Sequence, residues 1–278
     1  MPPPIGDVLG RSADNAIANW ETVALEVAIS AALAIGVNLT MLAAVTPLMT
    51  SIVRAPRAEV VIPTVIRVVV SLLVSGIVWI IVTAFPIAAS ARTYIDGERA
   101  AAAAPARTRE AYRVFSFPAW LAAGAAMWAR VLGIEIVVAA IGVLIVGIPM
   151  LVLFALPRVA AGCAGILLVF PIAVVTIVMV TLCMRKAVVI AVARGTGVEE
   201  SLSMAWGDVK RQFAAHFLPA LVIGLVTLAA SFALGIFGGA MKIVLGPVGP
   251  LVPALRALAT APGICWLLAA FVALIEER

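Results

Sequence analysis

Six long stretches of predominantly apolar residues dominate this chain and leave it few ways to fold. They run from about Thr22 to Val53, Val60 to Ala91, Ala119 to Leu156, Val159 to Ala193, Phe213 to Met241 and Val248 to Ile275. An α-helix crosses the roughly 30 Å hydrocarbon layer with about 20 residues, so each block is long enough to span, with length left for tilt or for extension beyond the bilayer. A transmembrane β-barrel would need segments of roughly 10 residues with alternating polarity, which these blocks are not. Composition agrees. Of the 278 residues, 64% are hydrophobic and only 12% charged, against about 25% charged in ordinary soluble domains. The expected fold is an all-α polytopic membrane bundle of six spans, forming a single integral membrane domain over residues 1–278.

The formal net charge of +5 does not point to nucleic acid. Basic residues flank the apolar blocks and form no dense patch with interleaved aromatics. One set of connections carries Arg54, Arg57, Arg158 and Lys242. The other carries Arg11, Arg92, Arg99, Arg107, Arg109, Arg113, Arg185, Lys186, Arg194, Lys210, Arg211 and Arg278. The positive-inside rule puts the larger set in the cytoplasm, with both termini, as an even number of spans requires. The N-terminal stretch Met1–Asn15 lacks a basic region followed by an apolar core, so the first span is expected to insert uncleaved. Only Lys186, Lys210 and Lys242 are lysines, a bias that hints at a GC-rich bacterial genome and hence an inner membrane.

The segments between spans are patterned. In Thr196–Phe213, the residues Val198, Leu202, Trp206, Val209 and Phe213 recur at helical spacing, opposite Glu199, Glu200, Ser203, Lys210, Arg211 and Gln212. Thr196 and Glu199 have the spacing of a capping box. An interfacial amphipathic helix is expected there, anchored by Trp206, Lys210, Arg211 and Phe213. The chain's start has the same form. Ile5, Leu9, Ala13, Ala16 and Trp20 make a stripe opposite Asp7, Arg11, Asp14 and Asn15, and a shift of 193 residues lays it on the later stripe. A weaker copy is expected near Pro105, with Ala111, Tyr112 and Phe115 opposite Arg107, Arg109, Glu110 and Arg113. The chain thus reads as three units of amphipathic helix plus transmembrane hairpin, about 1–95, 96–193 and 194–278. Repeated units in membrane proteins often frame a site at their interface.

The stretch Ala187–Phe213, with its Gly-containing turn, Ala205-Trp206 pair and Lys210-Arg211-Gln212-Phe213, resembles the multi-span membrane domain attached to some bacterial glycerophosphoryl diester phosphodiesterases. The resemblance covers roughly thirty residues well and implies an architecture. It implies no activity, because the catalytic barrel has no counterpart here.

No motif for catalysis, phosphate binding or a zinc protease is present, and Gly195-Thr196-Gly197 is too short for a phosphate loop. Cys163, Cys183 and Cys265 lie inside apolar blocks without metal-ligand spacing and read as small buried residues. The one histidine, His216, has no carboxylate at helical spacing and reads as an interfacial polar residue. No enzyme, cofactor or metal is expected, and the expected partners are membrane lipids. Gly235 and Gly239 form a GxxxG near Ala229, Ala230 and Ala233, expected to pack tightly within the monomer.

The intramembrane charges are the candidate site. They are Glu26, Arg67, Arg130, Glu135 and Arg256. A charge at the centre of a span costs about 2.5–3.5 kcal/mol on insertion scales, so it is normally paired, hydrated or snorkelled to a surface. Arg67 and Arg256 lie early in their blocks and can snorkel. Arg130 lies deeper. Arg130 and Glu135 stand about 140° apart on an ideal helix, so Glu135 is expected to pair with Arg67 or Arg256, and Glu26 with an arginine. Such a cluster suits either a structural, accessory or lipid-interacting membrane factor, or a small transporter for an anionic or amphiphilic solute. A break near Pro149 is the main alternative to a straight third span.

Overall fold

The computed structural model describes residues 3–54, 58–147, 170–245 and 252–275. Among these are eight α-helices and no strand. They are α1 (Ile5–Ala18), α2 (Trp20–Arg54), α3 (Ala58–Ala103), α4 (Phe117–Gly142), α5 (Phe170–Arg194), α6 (Val198–Arg211), α7 (Phe213–Leu245) and α8 (Val252–Ala273). A 3₁₀ turn, η1, occupies Arg109–Tyr112, and a π turn continues α4 over Val143–Gly147. Six helices (α2, α3, α4, α5, α7 and α8) are long and apolar enough to cross a membrane. The polytopic bundle expected from the sequence is therefore present. Pro149 and Cys163 lie outside the described residues.

The helices exceed the apolar blocks where charge permits. Helix α3 has 46 residues, about 69 Å at 1.5 Å per residue, more than twice the hydrocarbon thickness. Its last turns leave the apolar zone and carry Arg92, Asp96, Glu98 and Arg99. Arg92 Nε donates to Asp96 Oδ2 at 2.9 Å across one helical turn. Pro47, Pro63, Pro86, Pro219 and Pro262 all sit inside helices that run through them.

Helix α8 is the axis of the bundle. It packs against α1, α2, α3, α5 and α7, and its Ala257, Ala259, Ala261, Cys265 and Leu268–Leu274 are buried. In lipid there is little hydrophobic drive between helices, so small residues that let backbones approach carry the packing. Alanines on α3 (Ala84, Ala88, Ala91) and α5 (Ala187, Ala191) meet in the same core. Gly263 abuts Thr227 of α7 so closely that a Cβ would clash with the threonine hydroxyl, and a Cβ on Gly124 would strike the Phe85 ring. By contrast Gly235 faces open space among the described residues, and Ala229 and Ala233 are exposed. No tight packing is therefore found at Gly235, while the side-chain surroundings of Gly239 lie outside the described residues.

The amphipathic segments differ from expectation in instructive ways. Helices α1 and α6 each have 14 residues, and the shift of 193 that aligns their stripes also aligns their ends, Ile5 on Val198 and Ala18 on Arg211. Each is broken from the following span by one residue of similar backbone conformation, Asn19 (φ −109°, ψ 42°) and Gln212 (φ −129°, ψ 47°). The middle unit has no such helix. α3 occupies the chain up to Ala103, and only the four-residue η1 precedes α4. Thr196 is not a capping residue either. Gly195, at φ +67°, closes α5 by donating its N–H to Ala191 O, a left-handed stop that suits glycine. Gly197 then caps α6, and the Thr196 hydroxyl lies 2.7 Å from Ser201 Oγ.

Candidate functional site

Five of the six spans converge on one polar cavity of about 310 Å³. α2 contributes Glu26 and Ser30, α3 Trp79 and Thr83, α4 Glu135, α5 Arg185 and α8 Ile264. Glu26 lies six residues into α2 and Arg185 nine residues before the end of α5, about 9 and 13 Å inside those helices. All three charged side chains are withdrawn from the surface. Glu26 is 3% exposed as a residue, and the Glu135 and Arg185 side chains are 7% and 12% exposed.

The three charges are close but poorly matched. Arg185 Nη1 lies 3.9 Å from Glu135 Oε1, within ion-pair range but beyond a hydrogen bond. The same guanidinium acts electrostatically on Glu26, whose Oε1 accepts a hydrogen bond from Ser90 Oγ at 3.3 Å. Among the described residues no donor hydrogen-bonds the Glu135 carboxylate, and the buried Arg185 Nη1 has no hydrogen-bond acceptor. Thr83, which lines the cavity, donates its Oγ1 hydrogen to Trp79 O at 2.8 Å, so the hydroxyl's lone pairs remain as acceptors. Counted as ionised, two carboxylates and one guanidinium leave the cluster with a single negative charge.

The structure brings together two of the five sequence candidates, Glu26 and Glu135. Arg67 and Arg256 are exposed on the outside of the bundle and pair with neither. Arg130 is exposed as well. Its Nη1 approaches Met127 Sδ at 3.5 Å and lies beside the Gly195 turn, at the level where α5 ends. Its depth along α4 is thus not depth in the bundle. The partner that Glu135 finds is Arg185, which the sequence reading placed in a connecting loop. The overlooked signal is the run Ala187–Val192 that follows Arg185-Lys186. All six residues are buried, so the helix continues through the charged pair and takes it inside. Of the anchors, Trp20, Trp206, Lys210, Arg211 and Phe213 are all exposed, at the two matching helix junctions. His216 departs from its interfacial reading. It is buried, with Nδ1 2.9 Å from Gln212 O and its ring stacked on Phe271.

A second polar cluster lies where α1 meets the ends of α3, η1 and α8. Here most donors and acceptors are paired, although the buried Glu98 Oε2 has no hydrogen-bond partner among the described residues. Asn15 Nδ2 donates to Tyr94 O at 2.8 Å. Asn19 Nδ2 donates to Tyr112 O at 2.8 Å, while its Oδ1 accepts from the Val114 and Phe115 amides, both at 3.0 Å. Trp266 Nε1 donates to Ser12 Oγ at 2.9 Å. Arg11 Nε donates to the buried Glu98 at 3.0 Å, with Arg107 3.7 Å from the same carboxylate. Burial and the Glu98 carboxylate push the Tyr112 phenol above its ordinary range. So α1 turns Ser12 and Asn15 into the protein. The stripe residues Ile5 and Trp20 stay exposed, while Asn15, expected on the opposite polar face, is taken inside. The loop amides at 114 and 115 and the Tyr112 carbonyl find their partner in Asn19, the residue that closes α1.

No family model, curated protein or solved structure matches this chain.

Proposed function

We propose that this is a non-enzymatic membrane protein that takes a small polar ligand into the bilayer interior and acts as a carrier. One observation supports the reading above the others: the cavity shared by five spans, holding Glu26, Arg185 and Glu135 in incomplete contact. Charges kept only to hold helices together gain from close, hydrogen-bonded contact, since their desolvation must be offset. Here space and unused hydrogen-bonding capacity coincide instead. The volume lies at the low end of the roughly 300–1,000 Å³ typical of small-molecule sites. With the arginine-rich end in the cytoplasm of a bacterial inner membrane, the cavity is nearer that side. The matched junctions α1–α2 and α6–α7 support a chain assembled from repeated units around this site.

The test is uptake of radiolabelled small cationic, zwitterionic and anionic solutes by liposomes holding the purified protein. The expected result is uptake of one class, abolished by Glu135→Gln and retained in Arg67→Gln. Silence across the panel, together with no thermal stabilisation by any member, would overturn the carrier reading. A second reading, a static lipid-binding factor, is favoured by a separate apolar groove of about 630 Å³ between α5, α7 and α8. It predicts co-purified lipid that survives Glu135→Gln.

A further inference from the structure

Resting on the carrier reading, we infer that the ligand is a small zwitterion in which a primary ammonium is joined by a short link to an oxyanion, with the ammonium at Glu135 and Glu26 and the oxyanion at Arg185. The inference comes from what each wall of the cavity lacks. The Glu135 carboxylate is buried without a hydrogen-bond donor from the described residues. An ionised carboxylate can accept several hydrogen bonds, and leaving that capacity unused in a low-dielectric site is costly. The ligand group opposite it should therefore carry N–H donors. Arg185 lines the cavity, and its Nη1 is buried without a hydrogen-bond acceptor among the described residues. A guanidinium presents a planar fork of donors that fits carboxylate or phosphate oxygens in pairs, so the group opposite it should be an oxyanion.

Simpler ligands each fail on one wall. A plain anion would pair with Arg185 but face two carboxylates. A plain cation would pair with the carboxylates while facing the guanidinium and leaving its Nη1 unmatched. A quaternary ammonium has the charge but no N–H to give Glu135. A zwitterion meets both walls, and one whose oxyanion is a carboxylate or phosphodiester enters with no net charge, which keeps the cluster's total unchanged. Ser30 and Thr83 line the same space and can accept from the ammonium's remaining hydrogens. The same chemistry occurs in free solutes such as β-alanine or phosphoethanolamine and in the head group of phosphatidylethanolamine. The probes below separate these sources.

The experiment is binding calorimetry on the full chain in nanodiscs of phosphatidylglycerol, which contain no zwitterionic lipid. The probes are phosphoethanolamine, β-alanine, phosphocholine, ethylamine and inorganic phosphate, and phosphatidylethanolamine is titrated into the discs as a separate arm. Either primary-ammonium zwitterion, or phosphatidylethanolamine, is expected to bind at least tenfold more tightly than ethylamine, phosphate or phosphocholine. Heat from the soluble compounds identifies a free solute, and heat from the lipid arm alone identifies a head group. Glu135→Gln should weaken binding at least tenfold. Arg185→Lys keeps the charge but loses the fork, and should weaken the zwitterion while leaving ethylamine unchanged. A zwitterion affinity that Arg185→Lys leaves intact in a folded variant overturns the assignment of the oxyanion. Ethylamine or phosphocholine binding as tightly as phosphoethanolamine overturns the zwitterion but leaves the carrier reading standing. If no probe binds, both fall.

Discussion

The two polar clusters lie close along the same helices, yet they are built differently. Where α1 meets α3, η1 and α8, Asn19 alone makes hydrogen bonds to Asn15, Tyr112, Val114 and Phe115, and Glu98 is held by Arg11 with Arg107 nearby. Deeper in the bundle, Glu26, Arg185 and Glu135 surround empty space, and the one ion pair between them is 3.9 Å long. Polar groups buried for structure are saturated, because an orphan donor or acceptor costs roughly 1–3 kcal/mol. The first cluster largely follows that rule, through Asn15, Asn19 and Glu98 Oε1, with Glu98 Oε2 left over. The second leaves its charges in incomplete contact, and it does so around a cavity. The difference separates a clamp from a binding site, and mutations can break it from either side.

The largest effect belongs to Asn19→Ala. It strips the amides of Val114 and Phe115 and the carbonyl of Tyr112 of their partner in a fully buried position. With several groups orphaned at roughly 1–3 kcal/mol each, the loss should exceed about 3 kcal/mol. Denaturant or thermal unfolding in detergent measures it. Asn19→Asp keeps the acceptor and loses the donor, and should fall about midway. A loss below about 1 kcal/mol for Asn19→Ala would mean that water replaces the side chain and that the clamp is not saturated. Next comes Gly97→Ala. Its Cβ would stand 2.6 Å from Asn15 Oδ1 and 2.8 Å from the Tyr112 carbonyl oxygen. The second is backbone and cannot swing aside, so overpacking should cost roughly 1–3 kcal/mol. Gly76→Ala, with nothing within 4 Å, is the control and should be neutral or slightly stabilising through helix propensity.

These residues also show what the sequence could and could not reveal. The six spans were legible because hydrocarbon thickness is a hard constraint and apolar block length reports on it directly. Helices α1 and α6 were legible from periodicity, down to matched ends. The orientation of α1 was not, because Ile5 and Trp20 can face lipid as well as a protein core, and the demand that turned Asn15 and Asn19 inward comes from loop amides 95 residues away. Within the site, Glu26 and Glu135 stood out as isolated carboxylates in apolar blocks. Arg185 did not, since it sits beside Lys186 near a block's end and looks like a flanking charge. Depth within a bundle depends on how helices are staggered. That stagger also brought Arg130, thirteen residues into α4, out beside the Gly195 turn.

Smaller again is Trp266→Phe, which removes one hydrogen bond between α8 and α1 while Ser12 Oγ keeps its bond to Leu9 O. A single neutral hydrogen bond contributes about 0.5–1.5 kcal/mol, and the loss should fall in that range. Its distinctive readout is local. Amide exchange in Ile5–Ala18 should quicken while α5 and α7 keep their protection, because the bond ties α1 to the bundle axis. Uniform loss of protection would instead show that α1 and the spans unfold as one unit.

The smallest effect on stability is expected for Glu135→Gln, and its smallness is what separates the two clusters. If Glu135 and Arg185 were a structural pair like Arg11 and Glu98, removing one partner would strand a buried charge and cost roughly 3–5 kcal/mol. In this cluster Arg185 also acts on Glu26, so the variant leaves one carboxyl group facing one guanidinium. The amide keeps the size of the acid and no hydrogen bond from the described residues is lost. The expected change is therefore below about 1 kcal/mol by the same denaturation measurement. The companion variant Glu98→Gln removes the buried charge that Arg11 and Arg107 face and should cost about 3 kcal/mol or more. Equal losses for the two would erase the distinction between clamp and site. A large loss for Glu98→Gln beside a negligible one for Glu135→Gln would leave the deeper carboxylate without a structural purpose and tie its presence in the bilayer to a ligand.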